Sequence, residues 1–160
     1  MKAFLYLLIL LLAVSCNSSE ATNNTSKPKM QCSCDSPDNQ NINYQYKDDT
    51  LCQLLSVKKK SKGVIDFYLT TCNYRTNKRS YIAGNARLKT APSGNSETDN
   101  DENGELIPVD EYDFSKGDCS FELRFDSKAY RIVQIIEHNC KDFHDDSCPF
   151  ATDKILKKLK

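Results

Sequence analysis

The chain has 160 residues, which is one domain of ordinary size once a leader is set aside. Lys plus Arg equals Asp plus Glu at 22 each, so no global field draws the protein to nucleic acid or to an anionic surface. Eight cysteines in so short a chain point to disulfides formed in an oxidising compartment.

Met1 to Cys16 reads as an export signal. Lys2 supplies a positive charge, Phe4 to Val14 is an unbroken apolar run, and Ser15-Cys16 ends it. The run is too short and wrongly flanked for a stable transmembrane helix. Two modes of processing compete. Leu12-Ala13-Val14-Ser15-Cys16 resembles a bacterial lipobox of the relaxed kind found in Bacteroidetes lipoproteins, which implies diacylglyceryl modification and cleavage before Cys16. Ala13 and Ser15 also satisfy the small-residue rule of ordinary signal peptidase, which leaves a plain Cys16 and a secreted protein. The apolar core runs straight into the cysteine, and that favours lipidation. Residues 1–15 are then the signal peptide, 16–29 a flexible tether rich in Asn, Ser and Thr, and 30–160 a single β domain. Acyl chains on Cys16 anchor the chain in a lipid bilayer, with an outer or cell membrane location facing periplasm or surface. Cysteine parity pulls the other way: with Cys16 acylated seven remain, and one of them lacks a partner within the chain.

Met30 to Asp49 reads as a turn-rich segment that opens with Cys32-Ser33-Cys34, two cysteines too close to bridge each other. Leu51 to Cys72 reads as a hairpin. Lys60-Ser61-Lys62-Gly63 is its turn signal, with Gly63 closing a three-residue loop and Lys60 opposite Val64. That register sets Lys59, Val57 and Leu55 opposite Ile65, Phe67 and Leu69 on an inner face. On the other face Lys58 meets Asp66 and Cys52 meets Cys72. A Cys52–Cys72 bridge is therefore expected, with Cys32 or Cys34 as the competing partner.

Arg79 to Lys89 is a third strand, whose Gly84 and Ala86 leave room for close packing. Thr90 to Glu105 is an acidic loop without strand signal, longer than a connection needs. Leu106 to Phe114 is extended, and Pro108 confines it to an edge or a bulge. Cys119 to Asp126 alternates without error, Ser127-Lys128 turns the chain, and Tyr130 to Glu137 returns. Asn139 to Pro149 is a cysteine-bearing loop, and Ala151 to Lys160 is a last strand or a short basic helix. About six to eight strands without βαβ spacing predict an all-β domain, a small antiparallel barrel or sandwich stapled by disulfides.

Three clusters carry chemistry. Asp99, Asp101, Asn103 and Gly104 follow the first half of a calcium loop, and Asp110 falls at its twelfth position; the alternative is a solvated acidic loop. Calcium is thus the one candidate cofactor. His138, Cys140, His144 and Cys148 contain zinc-ligating types, but their spacing fits no standard finger, and disulfides among Cys119, Cys140 and Cys148 are the better reading. The lysines of 58–62 and the basic tail 154–160 read as solvated faces, or as contacts to an anionic polymer. No nucleophile elbow, zincin motif or phosphate-cradling loop occurs, so binding is expected rather than catalysis.

Ile82-Ala83-Gly84-Asn85-Ala86, Cys119-Ser120-Phe121-Glu122-Leu123 and Ile132-Val133-Gln134, continuing to Cys140, resemble small exported bacterial lipoproteins. Tyr81-Ile82-Ala83 also resembles a fragment of the membrane-bound C-type lysozyme inhibitors. That resemblance implies an antiparallel barrel with a disulfide. A cross-linked β scaffold with long loops and no catalytic set points in turn to a protein partner such as a cell-wall hydrolase or a toxin. Asn77-Lys78 stand where the inhibitor motif has Ser-Gly, so no inhibitory contact residue is carried over.

Overall fold

Period-two alternation of apolar and polar side chains builds the wall of this protein. The computed structural model describes residues 32–34, 40–89, 98–100 and 103–160, all within a compact unit spanning Gln31–Lys160. Among the described residues there are nine strands: β1 (Ile42–Lys47), β2 (Leu51–Ser61), β3 (Val64–Asn73), β4 (Lys78–Leu88), β5 (Thr98–Asn100), β6 (Leu106–Lys116), β7 (Cys119–Asp126), β8 (Ile132–His138) and β9 (Leu156–Lys158). Eight of them close in the order β4-β3-β2-β1-β9-β8-β7-β6 and back to β4, and β5 adds to β6 outside the ring. Every pairing is antiparallel. The architecture is a barrel, not a sandwich. No described helix is long and apolar enough to cross a membrane. The leader, Cys16 and the tether lie outside the described residues.

The β2–β3 hairpin has the expected register along most of its length. Lys59, Val57 and Leu55 face Ile65, Phe67 and Leu69, Lys58 faces Asp66, and Cys52 faces Cys72. The tip differs. Ser61, not Lys60, pairs with Val64, because a bulge at Lys60 takes up one residue. The bulge turns Lys60 towards Asp66, at 3.4 Å. Two strands lie where none was expected. β1 falls in the stretch read as turn-rich, and β5 in the acidic loop, where it holds to the edge of β6 beside Pro108. The tail forms the strand β9, one of the two expected alternatives.

The expected Cys52–Cys72 bridge is not formed. Cys32 bonds to Cys72 and Cys34 to Cys52, with Cα–Cα separations of 5.7 and 6.2 Å. Residues two apart in an extended chain point to the same side. Cys32-Ser33-Cys34 lies across the outer face of the hairpin and sends one sulfur down to each strand. With Leu54 and Tyr74 these four cysteines make a small second core outside the barrel. Cys119 bonds to Cys140, while Cys148, a disulfide candidate, is a buried free thiol.

Closure is the narrowest part of the design. β4 meets β6 through Arg87↔Asp113 and Leu88↔Tyr112, extended by Lys89 N–H donating to the Glu111 carbonyl at 2.8 Å. Beyond these pairs the Phe114 ring seals the gap. It lies against Gly84, where a Cβ would collide with the ring, and packs edge-on to Phe67 with centroids 5.0 Å apart. The small residue of the third strand serves this contact.

Candidate functional site

An eight-stranded barrel has an interior just wide enough to be filled by side chains or to hold one small ligand. Here the two ends differ. One end is plugged by the segment after β8. Glu137 accepts hydrogen bonds from the Phe150 and Ala151 amides, both at 3.1 Å, and from His144 Nε2 at 3.1 Å. Gln53, fully buried, donates to the Phe150 carbonyl and accepts from the Thr152 hydroxyl at 3.3 Å. These polar groups satisfy the backbone of the plug, and the Phe150 ring fills the space beneath it, edge-on to Phe121 at 5.5 Å. A 3-10 turn at Lys141–Phe143 and the Cys119–Cys140 bridge hold the start of the plug.

The other end is open. A cavity of about 250 Å³ enters the barrel there, lined by Tyr44 of β1, Val57 of β2, Ile65 of β3, Tyr112 of β6, Phe125 of β7 and Tyr130 of the β7–β8 turn, with Ile42, Lys59, Ser61 and Val64 at the rim. The lining is held from behind. Tyr44 donates to the Tyr130 carbonyl at 3.0 Å, and Tyr130 donates to the Asp110 carboxylate. Tyr130 has a φ of 51°, a left-handed conformation that costs an L-residue energy. Asp126 fixes the turn by accepting the amides of Lys128, Ala129 and Arg131 at 3.0, 3.1 and 3.0 Å. No hydrogen bond reaches the Tyr112 hydroxyl from the described residues, so this donor is available at the mouth.

Burial sets the protonation of the lining. It pushes the Tyr44 hydroxyl up to about 12, helped by the negative charge of Asp126 and by Tyr112. Burial likewise raises Tyr112, with Asp110 adding to the effect. The Asp110 carboxyl itself is raised by burial. Burial also works against ionisation of Asp126, but its three backbone donors outweigh that and hold its pKa below the ordinary value. At neutral pH Tyr44 and Tyr112 are neutral, and the wall of the cavity is largely apolar.

The sequence-derived candidates separate into groups. Asp99 and Asp110 do not converge. Asp110 shares the inner face with its cross-strand partner Phe125, whereas Asp99 faces Arg124 on the outside at 3.6 Å. Asn103 is exposed, and Asp101 lies outside the described residues. The calcium-loop positions are therefore not gathered into one site by the residues that are described. His138 and His144 are apart as well: His138 is exposed and 3.5 Å from Glu122, and His144 belongs to the plug. Among the described residues no group of three or more His, Cys, Asp or Glu is placed to hold a metal.

The hairpin tip of one lysine-rich stretch and the far end of the other, by contrast, come to one place. Lys58, Lys59 and Lys62 sit towards the tip of β2–β3, and Lys158 ends β9 with Lys160 just beyond it, where β9 reaches the same rim by pairing with β1. Tyr44, Tyr112 and Tyr130, which form the mouth, did not stand out in the sequence. The alternation of Ile42, Tyr44 and Tyr46 was the available signal for β1, masked by the Asn, Asp and Pro residues before it. Compared with protein-family models, with curated proteins and with solved structures, the chain matches none.

Proposed function

We propose that this protein is an exported, membrane-tethered lipoprotein that works by binding, through the open mouth of its barrel, and not by catalysis. The observation that carries this reading is the asymmetry of the ends. One is closed by a satisfied polar network, and the other leaves an aromatic cavity facing solvent. An apolar concavity with a few convergent polar groups is the usual form of a ligand site. His144 supports the non-catalytic part, since its ring is enclosed in the plug and bonded to Glu137.

The fate of the cysteines supports the anchor. Six of the seven after Cys16 pair among themselves, and the seventh, Cys148, is fully buried. A bridge from Cys16 to Cys148 would require the core to open, so acylation leaves no cysteine frustrated. The described chain starts at Cys32, near the β3–β4 turn, whose Asn77 accepts the Cys32 amide at 3.1 Å. That turn is at the plugged end.

A protein partner such as a cell-wall hydrolase or toxin, bound at the rim, is the specific version of this function. Absence of any inhibition of lysozyme turnover by the purified protein would remove the lysozyme-inhibitor form of it. The mouth itself is tested with Nile red, an uncharged solvatochromic dye. A blue-shifted emission that saturates with protein concentration is expected, and it should be lost in Ile65→Arg. No shift with folded wild-type protein overturns the mouth as a site. Intact mass of the mature protein reports acylation of Cys16 at the same time. A calcium-stabilised structural or adhesive surface module is the weaker alternative, given that Asp110 lies on the inner face and Asp99 on the outer.

A further inference from the structure

We infer that the mouth selects an anionic amphiphile, a single molecule with an acidic head and an apolar tail of medium length. This rests on the reading of the mouth as an apolar site and adds the charge of what enters it.

The cavity determines the tail. At about 250 Å³ it exceeds the roughly 150 Å³ apolar cavity that accepts a benzene-sized guest. It is too small for the paired chains of a membrane lipid to enter together. Its floor and walls are Val57, Ile65, Phe125 and the ring faces of Tyr44, Tyr112 and Tyr130. Ile42 and Leu159, 43% and 41% exposed, are apolar shoulders next to the opening, where a longer tail or the neck of the molecule can lie.

The rim determines the head. Overall the chain is neutral, with 22 basic and 22 acidic residues, so a one-signed cluster is a local feature. Lys59 lines the cavity beside the Ser61 hydroxyl, and Lys58 and Lys62 flank it on the hairpin. Lys158 and Lys160 approach from the far side of β1, where the Leu159 amide donates to the Asn43 carbonyl at 2.8 Å. None of these five lysines has an ion-pair partner among the described residues. The acids nearest the opening are already engaged. Asp66 is bonded by Lys60 and Asn85, Asp110 accepts the Tyr130 hydroxyl, and Asp126 accepts three amides of its own turn. Asp99 is turned to Arg124 on the outer face. An anion at Lys59 therefore meets uncompensated positive charge beside a low-dielectric wall, where the attraction is least screened.

The test uses the mature chain carrying Cys16→Ser, so that no acyl chain is attached, with its disulfides formed, and four probes that each carry a ten-carbon chain: decanoate, decyl sulfate, decanol and decyltrimethylammonium. Each is titrated below its micellar range against bound Nile red. Both anions are expected to displace the dye at concentrations at least tenfold lower than the cation, with decanol between. Lys59→Glu/Lys62→Glu, at exposed positions, should erase that order; an order that survives in the folded double variant overturns selection by the rim. Equal displacement by all four probes overturns the inference while the apolar site stands. Failure of Nile red itself to bind overturns the site beneath it. Sedimentation with vesicles of phosphatidylglycerol and phosphatidylcholine separates the two sources of anionic amphiphile. Pelleting with vesicles and no displacement by decanoate would mean a membrane surface is recognised and overturn capture of a single molecule.

Discussion

The two ends of the barrel solve opposite problems with the same wall. At the plugged end backbone that leaves the sheet must find partners, and fully buried Gln53 and partly buried Glu137 supply them. At the mouth the strands simply stop, and aromatic side chains tied to Asp110 and to the β7–β8 turn keep the opening from collapsing. A buried polar network holds a segment in one conformation, because each unmet group would cost about 1–3 kcal/mol. An apolar opening carries no such demand and remains free for a guest. Stability and function are thereby separated along the barrel axis.

Substitutions at the two ends can break that separation. Phe150→Ala should be the most damaging, since it empties a fully buried site under the plug; a loss of about 4 kcal/mol is expected from guanidinium unfolding. Glu137→Leu should follow at about 3 kcal/mol, because the amides of Phe150 and Ala151 lose their acceptor. Neither should alter dye affinity in the fraction that remains folded. Tyr44→Phe at the mouth removes one hydrogen bond to the Tyr130 carbonyl and should cost only about 1 kcal/mol, while weakening dye binding through a looser turn. A mouth variant that unfolded the protein, or a plug variant that changed affinity alone, would show that the ends are not independent.

Acid sharpens the contrast with smaller effects. Asp110 at the mouth and Asp113 on β6 are raised above 3.8, burial being the chief cause in each. Both take up a proton in the folded state before the unfolded chain does, so stability rises as pH falls towards 3.8. Asp145 in the plug is held low by the Lys78 ammonium at 2.6 Å and by Ser147, and Asp126 is held low by its turn amides. Their contributions are present above 3.8 and are lost as pH falls from there through their lower folded values. The unfolding midpoint should therefore hold or rise slightly on the way to pH 3.8 and fall below it. Asp110→Asn should flatten the rise, and Asp145→Asn should shrink the fall.

Much of the wall was readable from the residues alone. The β2–β3 register followed from matching apolar, charged and cysteine positions across a single turn, and the structure departs from it only at the Lys60 bulge. β7 was visible because Cys119 to Asp126 alternates perfectly. Gly84 advertised a close approach, although nothing local named Phe114 as the residue that makes it. These features depend on periodicity and on neighbours a few residues apart, which a one-dimensional string records directly.

What required the folded chain was every contact between distant segments. Cys52 and Cys72 sit opposite each other as expected, yet their sulfurs bond to Cys34 and Cys32, because the Cys32–Cys34 segment lies across the outside of the hairpin. The mouth gathers residues from β1, β6 and the β7–β8 turn, none of which carries a signal for the others. The lysines of 58–62 and those that end the tail, Lys158 and Lys160, share one rim only because β9 pairs with β1. Local alternation determines which face a side chain takes, but closing eight strands into a ring determines which faces meet, and that choice belongs to the packing of the whole.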